Sequence, residues 1–182
     1  MIIGLVGTIA SGKGEVASYL KSMGFEYYSF SDILREEAEK RGLQQTREGL
    51  QKLGNALRRE FNNEGILAKR LLAKIKTKKA ALDGVRNLVE LAELRKANSF
   101  YLIAIDAPQK LRFERMQKRK RKGDPAAFED FKKIDDAENK GISKGQEINA
   151  CIAEADFKIS NTGTIDELHK KLEKILAKLG PG

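Results

Sequence analysis

Residues 2–13 read Ile2-Ile3-Gly4-Leu5-Val6-Gly7-Thr8-Ile9-Ala10-Ser11-Gly12-Lys13. The first five are a short, continuous apolar run, the pattern of a strand buried on both faces of a parallel sheet. From Gly7 the chain matches the phosphate-loop spacing G-x-x-x-x-G-K. Val16, Tyr19, Leu20 and Met23 then recur at helical spacing, and Gly24 supplies a stop. A strand feeding that loop and a helix leaving it is the context the motif requires. Glycines let successive backbone N–H groups converge on one phosphate. The helix N-terminus adds about half a positive charge there, and Lys13 reaches the outer phosphates.

The rest of the chain alternates in the same way. Phe25–Phe30, Ala80–Leu82 (ending at Asp83), Phe100–Ile105 and Asp156–Ser160 read as further strands. Residues 32–76 read as helical, with breaks near Gly42 and Gly65. A basic helix is expected from Gln109, and residues 122–145 as a polar, mobile excursion. Thr164 and Glu167 form a capping-box pattern, ahead of a last helix with Ile165, Leu168, Leu172, Ile175 and Leu179 on one stripe. Strands alternating with helices indicate an α/β fold on a parallel sheet.

The chain has 182 residues, a length that suits one domain. With 41% hydrophobic residues and 3 Pro it has material for a core and no disorder signature. No run approaches the ~18 apolar residues that span a bilayer. The segment MIIGLVG has neither a basic leader nor a cleavage site. The single Cys151 suits a reducing compartment, so the expected location is cytoplasmic. The net charge of +9 is uneven: residues 110–122 hold eight Lys/Arg and one Glu, leaving the remainder nearly balanced. A compact patch without an aromatic series fits a small polyanion as well as a nucleic acid strand, and a nucleic-acid arm is not expected.

Several segments carry a resemblance to known kinases. Ser31-Asp32-Ile33-Leu34-Arg35 resembles the adenylate-kinase segment G-D-M-L-R. Leu82-Asp83-Gly84-Val85-Arg86 resembles that family's L-D-G-F-P-R with one residue fewer. Arg115 and Arg119 are similar to the R-x-x-x-R that opens its lid. The stretch ADFKISNTGTIDEL (155–168) looks like dephospho-CoA kinase instead. The Gly-Lys-Gly-Glu and Asp-Gly-Val-Arg variants together resemble an uncharacterised archaeal kinase-like family related to both. The resemblance implies a three-layer P-loop kinase fold over 1–182, with a five-stranded parallel sheet of order 2-3-1-4-5. It also implies a helical acceptor-binding region near 32–76, a short lid near 116–140, and ATP with Mg²⁺.

Carried over residue by residue, the resemblance assigns ATP to Gly7, Ser11, Gly12, Lys13, Gly14 and Glu15. It assigns the adenine side to Asn161 and Gly163. Lys13, Arg115 and Arg119 would surround the transferred phosphoryl group; the two arginines also fit a solvated helix face. Arg35 and Arg86 would clamp an acceptor phosphate, or are ordinary surface arginines. Asp83 would order Mg²⁺ waters, or cap a helix over 84–96. Asp32 matches the acceptor-side aspartate of both families, a base toward a hydroxyl in dephospho-CoA kinase, or is an N-cap. Two departures stand out. The usual Ser/Thr after the loop lysine, which touches Mg²⁺, is Gly14, so Glu15 is expected to hold a metal-bound water, or is a first-turn helix acid. No Arg follows Arg121, so Lys132, Lys133, Lys140 or Lys144 would stand in for late lid arginines. His169 is expected on a wet face and Cys151 in the core.

The leading expectation is phosphoryl transfer from ATP to a nucleoside monophosphate or related small phosphorylated acceptor. The alternatives are a dephospho-CoA kinase, acting on a ribose hydroxyl, and a non-catalytic nucleotide sensor or nucleic-acid-associated ATPase. No N-K-x-D guanine motif is present.

Overall fold

The computed structural model describes residues 1–120, 123–139 and 147–180. Strand β1 (Ile2–Val6) lies in the middle of the sheet. Its parallel neighbours are β3 (Ala80–Asp83) and β4 (Phe100–Asp106), with Ile2 opposite Ala80 on one side and Phe100 on the other. The edges are β2 (Glu26–Ser29) and β5 (Phe157–Ser160), so the order is β2-β3-β1-β4-β5. This is the α/β P-loop kinase-like architecture expected from the motifs, and a parallel sheet needs helices on both faces.

One face is covered by α1 (Lys13–Ser22) and α9 (Ile165–Leu179). Ile3, Leu5, Ile103 and Ile105 meet Val16, Leu20, Leu168 and Leu172 there, all buried. Burying each such side chain is worth ~1.5–3 kcal/mol. The expected stripes shift slightly. Met23 is the exposed C-cap of α1 and Ala17 takes the inner place. Ile165 is exposed at the first position of α9, because the capping box of Thr164 and Glu167 fixes the helix start and turns it outward.

The other face is covered by α2 (Phe30–Lys40), α3 (Arg47–Glu60), α4 (Ile66–Lys74), α5 (Leu88–Leu94) and α8 (Ile148–Ala153). The breaks at Gly42 and Gly65 fall between these helices. Cys151 is buried in this core. Two capping expectations change. Ser29, not Asp32, is the N-cap of α2, its side chain accepting from the Asp32 amide. Asn87, not Asp83, caps α5, which begins five residues after β3 ends.

Helix α6 (Gln109–Arg119) is the expected basic helix. The expected excursion at 122–145 is corrected over its middle: residues 128–139 form α7 (Phe128–Asn139). Phe131 is fully buried, and Phe113, Phe128 and Phe131 make a ring cluster with centroids 5.5–6.4 Å apart that seats α7 on α6. Residues 122 and 140–145 of that stretch, with Lys140 and Lys144, lie outside the described residues. Among the described residues no helix is long and apolar enough to cross a membrane.

Candidate phosphate-binding site

The turn from β1 into α1 is held by what surrounds it. A Cβ on Gly7 would stand 2.2 Å from the Ile105 carbonyl oxygen, so only glycine lets the chain leave β1 there. Gly12, the N-cap of α1, has φ +109°, and a Cβ on it would meet Asn161 Nδ2 at 2.3 Å. Two donors then pin the loop from outside. Asn161 Nδ2 donates to Ser11 O at 2.8 Å, and Arg112 Nη1 donates to Ile9 O at 3.0 Å. A trans peptide points its N–H opposite its C=O. Fixing those carbonyls therefore turns the amides of Ala10 and Gly12 the other way. Arg112 is itself locked: Nη1 and Nη2 meet Asp135 Oδ1 and Oδ2 at 2.5 and 2.7 Å, and Nε donates to Ala107 O at 2.8 Å. Arg112 is 4% exposed and Asp135 1%.

Lys13 folds back over the loop, its ammonium donating to Gly7 O at 2.7 Å and Thr8 O at 3.3 Å. Burial pulls its pKa below that of an ordinary lysine. Asp83 and Glu138 oppose that shift, while Arg86 and Arg112 add to it. A cavity of about 490 Å³ opens beside it at the C-terminal ends of β1, β2 and β3. That edge is where open α/β sheets bind ligands. Gly7, Lys13, Tyr27, Asp32, Arg35, Asp83, Arg86 and Glu138 all line it. Asp83 Oδ2 accepts from the Tyr27 hydroxyl at 3.1 Å, while Oδ1 is buried without a partner. Burial first, then the Asp83 charge, push the Tyr27 phenol up, so it stays a donor. Asp32 accepts from Ser29 Oγ at 2.7 Å and from Arg35 Nη1 at 2.8 Å. The Arg35 and Asp32 side chains are about half exposed, and Arg86 is exposed.

Thus Lys13, Asp32, Arg35, Asp83 and Arg86 come together as the motifs suggest. Arg115 and Arg119 do not. Arg115 is half-buried beside Asn161, with Nη2 3.4 Å from its Oδ1 and Nη1 buried without a partner. Arg119 instead forms a two-pronged pair with Asp124 at 3.0 Å, away from the cavity lining. Ser11 Oγ is a further buried hydroxyl with no partner. Gly14 leaves open space, since a Cβ there would meet nothing within 4 Å. Glu15 turns to α9, where His169 Nε2 lies 2.9 Å from its Oε1 and the His169 ring stacks on Tyr19 at 3.8 Å. His169 is thus partnered rather than wet-faced, and Glu15 is not among the cavity residues. Gly163 sits against the Glu167 carboxylate that closes the α9 cap, where a Cβ would clash. Lys132 and Lys133 pair with Asp136 and Asp130 on the exposed side of α7.

Residues 6–135 match the family model of an AAA domain. Over 98% of its length the chain is 34% identical to the UPF0200 protein of Hyperthermus butylicus, covering 95% of that protein. The UPF0200 proteins of Pyrococcus horikoshii and Sulfurisphaera tokodaii are 36% and 38% identical, each with 98% of this chain and 97% of theirs aligned. The chain belongs to the UPF0200 family. Solved structures similar in fold to this UPF0200 protein include the shikimate kinase of Bacteroides thetaiotaomicron (TM-score 0.63, 11% identity, 97% and 98% of the two chains). TT1252 of Thermus thermophilus gives 0.60 at 20% identity over 100% and 98%. The shikimate kinase of Aquifex aeolicus gives 0.56 at 20% identity over 100% of both. Together they show a P-loop kinase-like fold.

The residues of the UPF0200 site that sequence reasoning missed are Arg112 with Asp135, and Tyr27 and Glu138 in the cavity lining. Arg112 lay within a run read as a charged patch, and Asp135 within one read as an excursion. A signal was present: Phe131, Asp135 and Glu138 fall at i, i+4 and i+7, and all three are buried on one face of α7. Two acids on the inner face of a helix need cations opposite them.

Proposed function

We propose that this UPF0200 protein is an ATP-dependent kinase acting on a nucleoside monophosphate or related small phosphorylated acceptor. One observation carries the reading: the phosphate-loop Lys13 shares a cavity with two arginines, Arg35 on α2 and Arg86 in the turn after β3. Lys13 would leave the Gly7 and Thr8 carbonyls for the β- and γ-phosphates, and the arginines would grip the acceptor's phosphate. In transfer, the bond from the γ-phosphorus to the ADP oxygen breaks as one to an acceptor oxygen forms. Arg115, with its unpaired Nη1, would be a further cation for the donor side. Mg²⁺ supplies charge neutralisation between the phosphates, and Asp83 fits it because its buried Oδ1 has no partner. On this reading the region near 32–76 binds the acceptor, residues near 116–140 close over the nucleotide, and the reaction runs in the cytoplasm.

A hydroxyl acceptor, as in a dephospho-CoA kinase, is the second reading. It is favoured by Asp32, a carboxylate in the same cavity that could take a hydroxyl proton. The deciding experiment is an ADP-release screen across nucleoside monophosphates, dephospho-CoA and no acceptor. Turnover with a monophosphate is expected. Turnover with dephospho-CoA alone selects the second reading. Turnover independent of any acceptor, or stimulated by RNA, overturns both.

A further inference from the structure

The phosphate loop lacks the hydroxyl that ordinarily touches Mg²⁺. Gly14 occupies its place in the chain, and the space around it is open. Glu15, the adjacent acid, is engaged by His169 on α9. Three carboxylates line the cavity next to Lys13: Asp32, Asp83 and Glu138. Asp32 is held by Ser29 and Arg35. Asp83 keeps one buried oxygen without a partner.

Glu138 comes from α7, a different part of the molecule. It is 7% exposed. Its position is set one turn earlier, where Asp135 is clamped by Arg112, the same guanidinium that holds Ile9 O of the phosphate loop. Glu138 is therefore fastened to the loop through two charge-assisted contacts. Asp83 and Glu138 both act on the Lys13 ammonium, each favouring its charged form. Once Lys13 turns to phosphate, the buried Glu138 and the half-buried Asp83 would face a polyphosphate. That is repulsive unless a cation stands between. Mg²⁺ suits such a place, because it keeps several waters and needs only one or two carboxylates beside the substrate phosphates. Among the described residues no three metal-ligating side chains group together, so no all-protein cage competes with that arrangement.

We propose that Glu138, together with Asp83, holds the water shell of nucleotide-bound Mg²⁺, taking the place of the hydroxyl that Gly14 lacks. The metal site is then divided between the end of β3 and α7. The metal–nucleotide complex, rather than the nucleotide alone, then engages the α7 side of the cavity. This deepens the kinase reading and rests on it for the nucleotide.

The test uses the full chain and a non-hydrolysable ATP analogue, with binding measured by calorimetry with and without Mg²⁺. Direct Mn²⁺ binding is followed by electron paramagnetic resonance. Mg²⁺ is expected to tighten analogue binding to the wild type. Glu138→Gln keeps the shape of the side chain, and is expected to remove most of that tightening and to weaken Mn²⁺ about 10–100-fold, while metal-free binding is not weakened and, with one repulsive charge gone, tightens if it moves at all. Asp130→Asn, on the exposed side of α7, should change neither. Equal weakening of metal-free and metal-bound analogue in Glu138→Gln would overturn the proposal, as would unchanged Mn²⁺ binding. So would loss of the metal effect in Glu15→Gln instead, or no tightening by Mg²⁺ in the wild type. If the metal results stand while no acceptor supports turnover, the kinase reading falls and the metal assignment remains.

Discussion

Arg112 and Arg35 are the same residue type, flank the same phosphate loop, and do opposite things. Arg112 is 4% exposed and spends its guanidinium on Asp135, Ile9 O and Ala107 O. The Arg35 side chain is 51% exposed and makes one contact to an equally exposed aspartate. A buried guanidinium with every prong satisfied is a structural bolt, whose removal strands a partner charge. An exposed one in a weak, screened pair stays available to a ligand. Burial and partners, rather than the presence of a cation, separate the residues that shape this loop from those offered to substrate.

The contrast breaks most readily at Arg112. Arg112→Met should destabilise the protein by ~3–5 kcal/mol, because Asp135 is left buried without its counter-charge, with only the neutral Gln109 amide donating to it. Chemical denaturation measures this, and Arg112→Met combined with Asp135→Leu should recover much of it. Recovery of stability without recovery of nucleotide affinity would isolate the hold on Ile9 O from the ion pair. Lys13→Ala should fold normally yet lower turnover by at least ~100-fold, since its ammonium meets developing phosphoryl charge in a dry site. Near wild-type turnover would remove the loop from the chemistry.

On the exposed side, Arg35→Met and Arg86→Met should each raise the acceptor KM about 10–100-fold, by the strength of charged hydrogen bonds. The ATP KM and the melting temperature should barely move. A fall in stability resembling that of Arg112→Met would make these arginines structural too. Asp32→Asn should cost little in rate with a phosphate acceptor, whose oxygen is already ionised. A collapse of steady-state turnover would favour the hydroxyl reading. The smallest effect is expected for His169→Ala. It removes a partly exposed contact to Glu15 and the ring stack on Tyr19, and should cost about 1 kcal/mol in a melting experiment, with the Mg²⁺ dependence of nucleotide binding unchanged.

Much of the architecture was legible because it rests on short-range patterns. An apolar run of five residues, a glycine-lysine spacing and a stop at Gly24 place β1, the loop and α1 without tertiary knowledge. Glu167 three residues after Thr164 fixes the start of α9 in the same way. Within the site, Lys13, Asp32, Arg35, Asp83 and Arg86 were legible because each lies at or soon after the C-terminal end of β1, β2 or β3, along one edge of the sheet. Arg119 was not. Its spacing from Arg115 is right, but five residues on Asp124 captures it, and periodicity says nothing of which acid an exposed arginine will meet. Glu15 failed for a related reason. A helix residue at the third position of α1 can turn toward the loop or toward the next helix, and the packing of α1 on α9 presents His169 to it.

The sequence by itself determined the five strands, the helices α1, α6 and α9, where the phosphate loop lies, and that the chain is an α/β protein built around it, but not α7 or α8. These follow from hydrophobic period, glycine placement and capping, all of which act over a few residues. Only the tertiary structure decided which charges face one another. Arg112 meets Asp135 across 23 residues and Ile9 O across 103. Glu138 reaches the cavity of Lys13 because that clamp and the buried Phe131 seat α7 on α6. Charge pairing is a property of distance and burial, and neither is written in local spacing.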